Sequence, residues 1–158
     1  MFKMIETNPQ DFDDFAGLLA LLHSCFAFME SRIDPPSSLD KMTQADLRAK
    51  AQAENLILFR DKTGAPKACL FAVQQNQRLY LGKMAVAQEL RGQGIARALI
   101  GAAEKLARDL GVSALALQTR VELTENHACF TRLGFTETAR VAHAGYDHPT
   151  SICFQRML

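Results

Sequence analysis

Leu79-Tyr80-Leu81-Gly82-Lys83-Met84-Ala85-Val86-Ala87-Gln88-Glu89-Leu90-Arg91-Gly92-Gln93-Gly94-Ile95-Ala96 is the stretch on which the fold turns. Its first eight residues read as a strand. A loop with two glycines follows and opens a long helix. From Ile95, the apolar residues Ala98, Leu99, Ala102, Ala103, Leu106 and Leu110 recur at helical spacing. The opposite face pairs Glu104 with Arg108 and Lys105 with Asp109 at i,i+4. Gly111 is placed to stop this helix. Residues 114–119 read as the next strand. A strand–helix–strand unit with so short a return predicts locally parallel strands and a right-handed crossover.

Working outward, residues 55–60, 66–74 and 79–86 read as three strands. The turns at 61–64 and 75–77 are short enough to predict an antiparallel meander. Gly64 sits where such a turn needs a positive φ. Further upstream, residues 1–6 read as a first strand and 11–29 as a helix, with Phe12, Phe15, Leu18, Leu19, Leu22 and Phe26 at helical spacing. Asp11, or a residue just before it, is its expected cap. Pro35 and Pro36 break the chain over residues 32–38. A second helix is expected from Thr43, where Thr43-Gln44-Ala45-Asp46 resembles a capping box. Downstream, residues 125–133 predict a short helix ended by Gly134, and 135–141 and 151–157 the last strands. The sum is a mixed α/β fold in one domain, residues 1–158.

Composition narrows the function. A chain of 158 residues buries roughly two thirds of its extended surface and needs no staples. It is 48% hydrophobic and 22% charged with a formal net charge of +1, so no field points to nucleic acid or an anionic membrane. No apolar run approaches the roughly 20 residues of a membrane span. Residues 1–6 lack the pattern of a signal peptide, and a cytoplasmic protein is expected. Cys25, Cys69, Cys129 and Cys153 form no C-x-x-C pair and have no histidine cluster beside them. They read as reduced thiols, with no metal site.

The glycine loop is the one feature that points to a ligand. A helix start leaves N–H groups without partners at the positive end of the dipole. Small residues let an anion approach them, which suits phosphate or pyrophosphate. No Lys-Ser or Lys-Thr follows Gly94, so this is not a Walker loop. Arg97 stands where the dinucleotide fingerprint needs its third small residue. Arg91-Gly92-Gln93-Gly94-Ile95-Ala96 instead resembles the R/Q-x-x-G-x-G/A signature of the GNAT acetyltransferases. Asn126 and a short helix closing as Arg132-Leu133-Gly134-Phe135 resemble a second feature of that family. The likeness is strong over residues 79–140 and otherwise rests on element order.

This resemblance implies a mostly antiparallel central sheet flanked by helices on both faces, with acetyl-CoA as co-substrate. The backbone N–H groups of Arg91, Gly92, Gln93, Gly94, Ile95 and Ala96 would hold the pyrophosphate. The strand backbone at Met84 and Val86 would pair with the pantetheine arm, which enters where this strand splays from the next. Asn126 and Phe130 would lie along the thiol end. The reaction implied is direct acetyl transfer to a primary amine of a small molecule, amino acid or peptide.

Acetyl transfer needs a base for the ammonium and benefits from an acid for the leaving thiolate. Many members of the family carry a carboxylate on the strand before the loop, where this chain has Leu81-Gly82-Lys83. Many carry a tyrosine where this chain has Phe130. Glu122 and Tyr146 are the expected substitutes, with His143 and His148 in the same polar loop as Tyr146. Glu30, Arg32, Asp34 and Arg120 are the candidate acceptor wall. Fixed charges of both signs suit a zwitterion, and Arg120 could grip a carboxylate bidentately. The missing carboxylate and tyrosine leave a non-catalytic acyl-CoA sensor as the alternative. The resemblance also favours a homodimer.

Overall fold

The computed structural model describes residues 5–158. In chain order the elements are β1 (Glu6–Thr7), α1 (Phe15–Phe26), α2 (Gln44–Ala53), β2 (Asn55–Arg60), β3 (Pro66–Gln75), β4 (Arg78–Val86), α3 (Ile95–Leu110), β5 (Ala114–Arg120), α4 (Thr124–Arg132), β6 (Thr136–Val141) and β7 (Ser151–Met157). The seven strands form one sheet in the order β1-β2-β3-β4-β5-β7-β6. β4 and β5 run parallel, joined through α3, and every other neighbouring pair is antiparallel. The expected meander and crossover are both present. No helix among the described residues is long and apolar enough to cross a membrane.

Side chains alternate across the sheet, so each face has its own core. On one face, Leu56, Leu58, Cys69, Phe71 and Ala85 pack under Phe15, Leu18, Leu22 and Cys25 of α1 and Leu47 of α2. On the other, Ile57, Leu70, Leu79, Leu81 and Leu115 meet Leu99, Ile100, Ala103 and Ala107 of α3. Leu133 and Phe135, just after α4, complete that second core. The surface face of α3 forms both predicted ion pairs, Lys105–Asp109 and Arg108–Glu104.

The N-terminal expectations need correction. Positions 1–4 of the predicted first strand lie outside the described residues, and β1 covers only Glu6 and Thr7. The first helix starts at Phe15 rather than residue 11, and its cap is Asp14, whose carboxylate accepts the N–H of Gly17 at 2.9 Å. Asp11 has another partner: Arg60 holds it at 3.1 Å together with Glu6 at 2.8 Å. Phe12 is still buried, edge-on to Phe15 at 5.3 Å, so its apolar signal came from the core and not from the helix. The capping box of α2 forms as read, Thr43 and Asp46 each satisfying the other's backbone N–H.

One irregularity positions everything that follows. Opposite β3, two steps from Cys69 to Phe71 match three steps from Ala85 to Gly82, so β4 carries one extra residue. Lys83, inside that bulge, has φ of 49°. A bulge bends its strand. β4 pairs with β5 only from Arg78 to Leu81, and the pairing stops where the bulge begins.

Two helix glycines separate propensity from local contact. An added Cβ at Gly101 of α3 meets nothing within 4 Å, so Gly101→Ala should stabilise the fold by roughly 0.5–1 kcal/mol, about 1–4 °C in Tm. At Gly17 of α1 the same atom would lie 2.4 Å from Asp14 Oδ2. Gly17→Ala must displace the capping carboxylate, at a cost of about 1 kcal/mol, and should show no gain in a thermal melt.

Candidate functional site

Beyond Leu81 and Leu117, β4 and β5 no longer hydrogen-bond to each other, and a cavity of about 270 Å³ occupies the opening. Its walls come from both faces of the sheet. Phe26, Met29, Ser37 and Ser38 line it from the α1 side, Ile100 and Phe130 from the α3 and α4 side. The bent strand contributes Tyr80 to Met84, and β5 contributes Leu117 to Arg120. The cavity therefore passes through the sheet.

From this cavity, β4 leads through Met84 and Val86 to the glycine loop. Gly92 and Gly94 have φ of 79° and 83°, the left-handed region in which glycine is unstrained. Among the described residues, the N–H groups of Gly92, Gln93, Gly94, Ile95 and Ala96 meet no acceptor. An added Cβ at either glycine would point into open space. These are the features an anion needs at a helix start. The side chain of Arg91 turns back, its Nε donating to the Val86 carbonyl at 3.3 Å. Cys25 Sγ donates to that same carbonyl at 3.4 Å, so Val86 has less capacity for a further partner than the sequence suggested.

The model of the acetyltransferase (GNAT) family matches residues 16–135. The chain belongs to the GNAT acetyltransferase family. Members of that family use acetyl-CoA as co-substrate. Among curated proteins, an aminoglycoside N(6′)-acetyltransferase type 1 of Stenotrophomonas maltophilia is 40% identical over 58 residues, which are 37% of this chain and 38% of that protein. A GNAT-family acetyltransferase of Staphylococcus aureus superposes with a TM-score of 0.75 at 13% identity, covering 98% of this chain and 99% of the other. The IAA acetyltransferase of Bacillus cereus superposes with a TM-score of 0.67 at 17% identity, covering 99% and 100%. At those identities the likeness is one of fold, and it is the GNAT fold.

Within this GNAT domain, Asn126 and Phe130 both line the cavity. Asn126 Nδ2 donates to Thr119 Oγ1 at 3.3 Å, and Phe130 lies edge-on to Phe135 at 6.1 Å. The charged residues of the expected acceptor wall are engaged otherwise. Arg32 forms a two-pronged ion pair with Glu125 and donates to the Glu122 carbonyl at 3.1 Å. Arg120 donates from Nη1 to the Pro35 carbonyl at 2.6 Å and from Nη2 to that of Pro36 at 3.2 Å. Its fork, expected to grip a carboxylate, holds backbone. Tyr146 donates its hydroxyl to Asp34 at 2.6 Å, and this bond raises the phenol above its ordinary range. Glu30 is exposed. Residues 30–38 thus form a strap tied down at three points, and the strap sets Ser37 and Ser38 in the cavity wall.

Lys83 and Ser38, to which the sequence reading gave no role, belong to the site, and of the two loop histidines it named only His143 does. Lys83 lines the cavity where a carboxylate was sought, and Ser38 faces it. His143, one of two histidines in a polar loop, also lines the cavity. His148 is exposed and pairs with Asp147. Buried Thr150 orients His143: its Oγ accepts the His143 backbone N–H at 2.9 Å and donates to the Val141 carbonyl at 3.4 Å. Ring Nδ1 also meets Thr150 Oγ, so one hydroxyl holds both the backbone and the ring of His143. Glu122 is half-buried, and its Oε1 is buried without a hydrogen-bond partner.

The strap has a testable pH dependence. Arg32 holds the Glu125 carboxyl down at about 2, from an ordinary 4.5. A carboxyl depressed in the folded state contributes fully above its ordinary value and loses that contribution as pH falls towards about 2. Hydrogen exchange over residues 30–38 should therefore be flat between pH 7 and 5 after correction for intrinsic rates. Glu125→Gln should raise it at pH 7, with little change in global stability because the pair is solvent-exposed.

Proposed function

We propose that this chain transfers the acetyl group of acetyl-CoA to a primary amine of a small molecule, amino acid or peptide, directly and in a ternary complex. The observation that carries the reading is the cavity through the sheet, whose bent wall strand β4 runs on into a loop of partnerless N–H groups. In this proposal Gly92 to Ala96 hold the pyrophosphate, with Arg91 fixing the loop. Met84 and Val86 pair with the pantetheine arm, and Asn126 and Phe130 flank the thiol end. When bound, the co-substrate supplies an activated thioester carbonyl.

The residues of the chain then orient the amine and accept its proton. His143 is well set for that task. It lines the cavity, and Thr150 holds both its backbone N–H and its ring Nδ1. Glu122 is the second candidate, because a buried carboxylate oxygen without a donor is an unused acceptor. Tyr146 and Asp34 close the acceptor wall together with Glu30, Arg32 and Arg120. The phenol, its one proton held by Asp34, braces the wall rather than acting as a base.

Calorimetry tests the cofactor half. Acetyl-CoA should bind the wild-type protein. Gly94→Glu, which sets a carboxylate at the cradle, should abolish that heat while circular dichroism shows a folded protein. No heat from the wild type would leave the loop as a turn and nothing more. An amine screen for released thiol tests the chemical half, and binding without turnover of any amine would assign a non-catalytic acyl-CoA sensor instead. Given an active amine, His143→Asn should lower kcat by ~10²–10⁴, the usual range for a lost general base. Imidazole should partly restore His143→Ala. A threefold effect or less at His143, beside a hundredfold loss in Glu122→Gln, would move the base to Glu122.

A further inference from the structure

Lys83 is a cation on the cavity wall with no carboxylate in ion-pair contact among the described residues. It sits in the bulge of β4, half-buried, with its backbone in the left-handed region. Its ammonium has three donors. One goes to Ser38 Oγ at 3.3 Å. Among the described residues no carboxylate lies within ion-pair distance of its nitrogen. The neighbouring Lys50 does have one, Glu54 at 2.8 Å. Burial, with a further push from Lys50, lowers Lys83 below the ordinary lysine range. The other cation of the cavity, Arg120, has Nη1 and Nη2 on the Pro35 and Pro36 carbonyls. Among the described residues, no Asp or Glu lines the cavity.

A half-buried ammonium without a counter-ion is costly unless a ligand answers it. We propose that Lys83 and the Ser38 hydroxyl form the anion-recognition point of the acceptor half of the cavity, so that the acceptor is an amine that also carries a carboxylate. This rests on the acetyltransferase reading above and narrows its substrate class. Ser38 Oγ accepts from Lys83, which leaves the hydroxyl hydrogen free for the same anion. Lys83 lies beside Ser38, Lys50 and Cys69, on the face of the sheet covered by α1 and α2, whereas Ile100 and Phe130 line the cavity from the opposite face. A polycationic acceptor such as an aminoglycoside or a polyamine would meet Lys83 unfavourably.

The test is calorimetric and does not depend on turnover. The CoA-loaded protein is titrated with a panel of N-acetyl-amino acids and with the matching carboxamides, which differ only at the anion. The wild type should bind at least one carboxylate tenfold or more tightly than its amide. Lys83→Met should bring that ratio close to one, and Lys83→Arg should keep most of it. Acetyl-CoA should bind Lys83→Met as it binds the wild type. Equal binding of acid and amide throughout the panel, or a preference that survives Lys83→Met, overturns the proposal. So does a loss of acetyl-CoA affinity in Lys83→Met without an acid preference in the wild type, which would assign Lys83 to the cofactor. Turnover of the free amino acids is read separately. A Lys83-dependent acid preference without acetyl transfer would sink the enzymatic reading and leave the anion site standing.

Discussion

A sheet strand that loses its neighbour in the middle of a fold leaves backbone N–H and C=O groups that must find partners. β4 is such a strand. It pairs with β5 for four residues and then bends away at the extra residue around Lys83. The sheet does not end there, because β5 continues against β7 up to Arg120. The result is an opening bounded by two strands rather than a sheet edge, with α3 packed behind it. The same bent strand feeds the turn into α3, so its direction also sets where the helix N-terminus lies. One added residue in β4 thus fixes both the cavity and the loop with free N–H groups.

An opening of this kind needs walls, and the strap supplies one. Residues 30–38 have little regular structure of their own and few buried apolar side chains, Ile33 being one. They are held by polar ties from three different elements: Arg32 to Glu125 at the start of α4, Arg120 at the end of β5, and Tyr146 in the loop between β6 and β7. Each tie uses a charge or a hydroxyl that would otherwise be available to a substrate. The electrostatic character of the cavity follows by subtraction. With Arg32 ion-paired, Asp34 on Tyr146 and the Arg120 fork on backbone carbonyls, Lys83 is the cavity cation with donors to spare.

The difference between what the sequence announced and what it concealed is one of range. α3 was legible because its apolar spacing, its i,i+4 ion pairs and Gly111 are all local signals, and the meander was legible because its turns are short. The position of β7 between β5 and β6 was not, since a strand returning to insert itself leaves no local mark. The same holds for the site. Asp34 and Tyr146, or Arg120 and Pro35, are paired across long stretches of chain. A charged residue in a Pro-rich loop looks equally suited to a substrate and to a strut. Phe12 misled in the opposite sense, because it is buried by tertiary packing before the helix has begun. His143 and His148 were equivalent in sequence, and only the cavity and the bond to Thr150, seven residues away across a loop whose course the sequence did not define, separate them.

The residue that departs most plainly from the family's pattern also bears on how the chemistry is done without the usual carboxylate. A carboxylate on β4 would stabilise a bound ammonium and then take its proton. Lys83 does the reverse: a nearby cation disfavours the charged form of an amine and lowers its pKa. For a simple amine that is a penalty on binding. For an amine that also carries a carboxylate, the attraction between Lys83 and the carboxylate offsets the penalty, and the depression of the amine's pKa remains. Less is then required of the base, so the usual carboxylate can be dispensed with. The absence of a carboxylate at Gly82 and Lys83 and the choice of a carboxylate-bearing acceptor are, on this account, one adaptation rather than two.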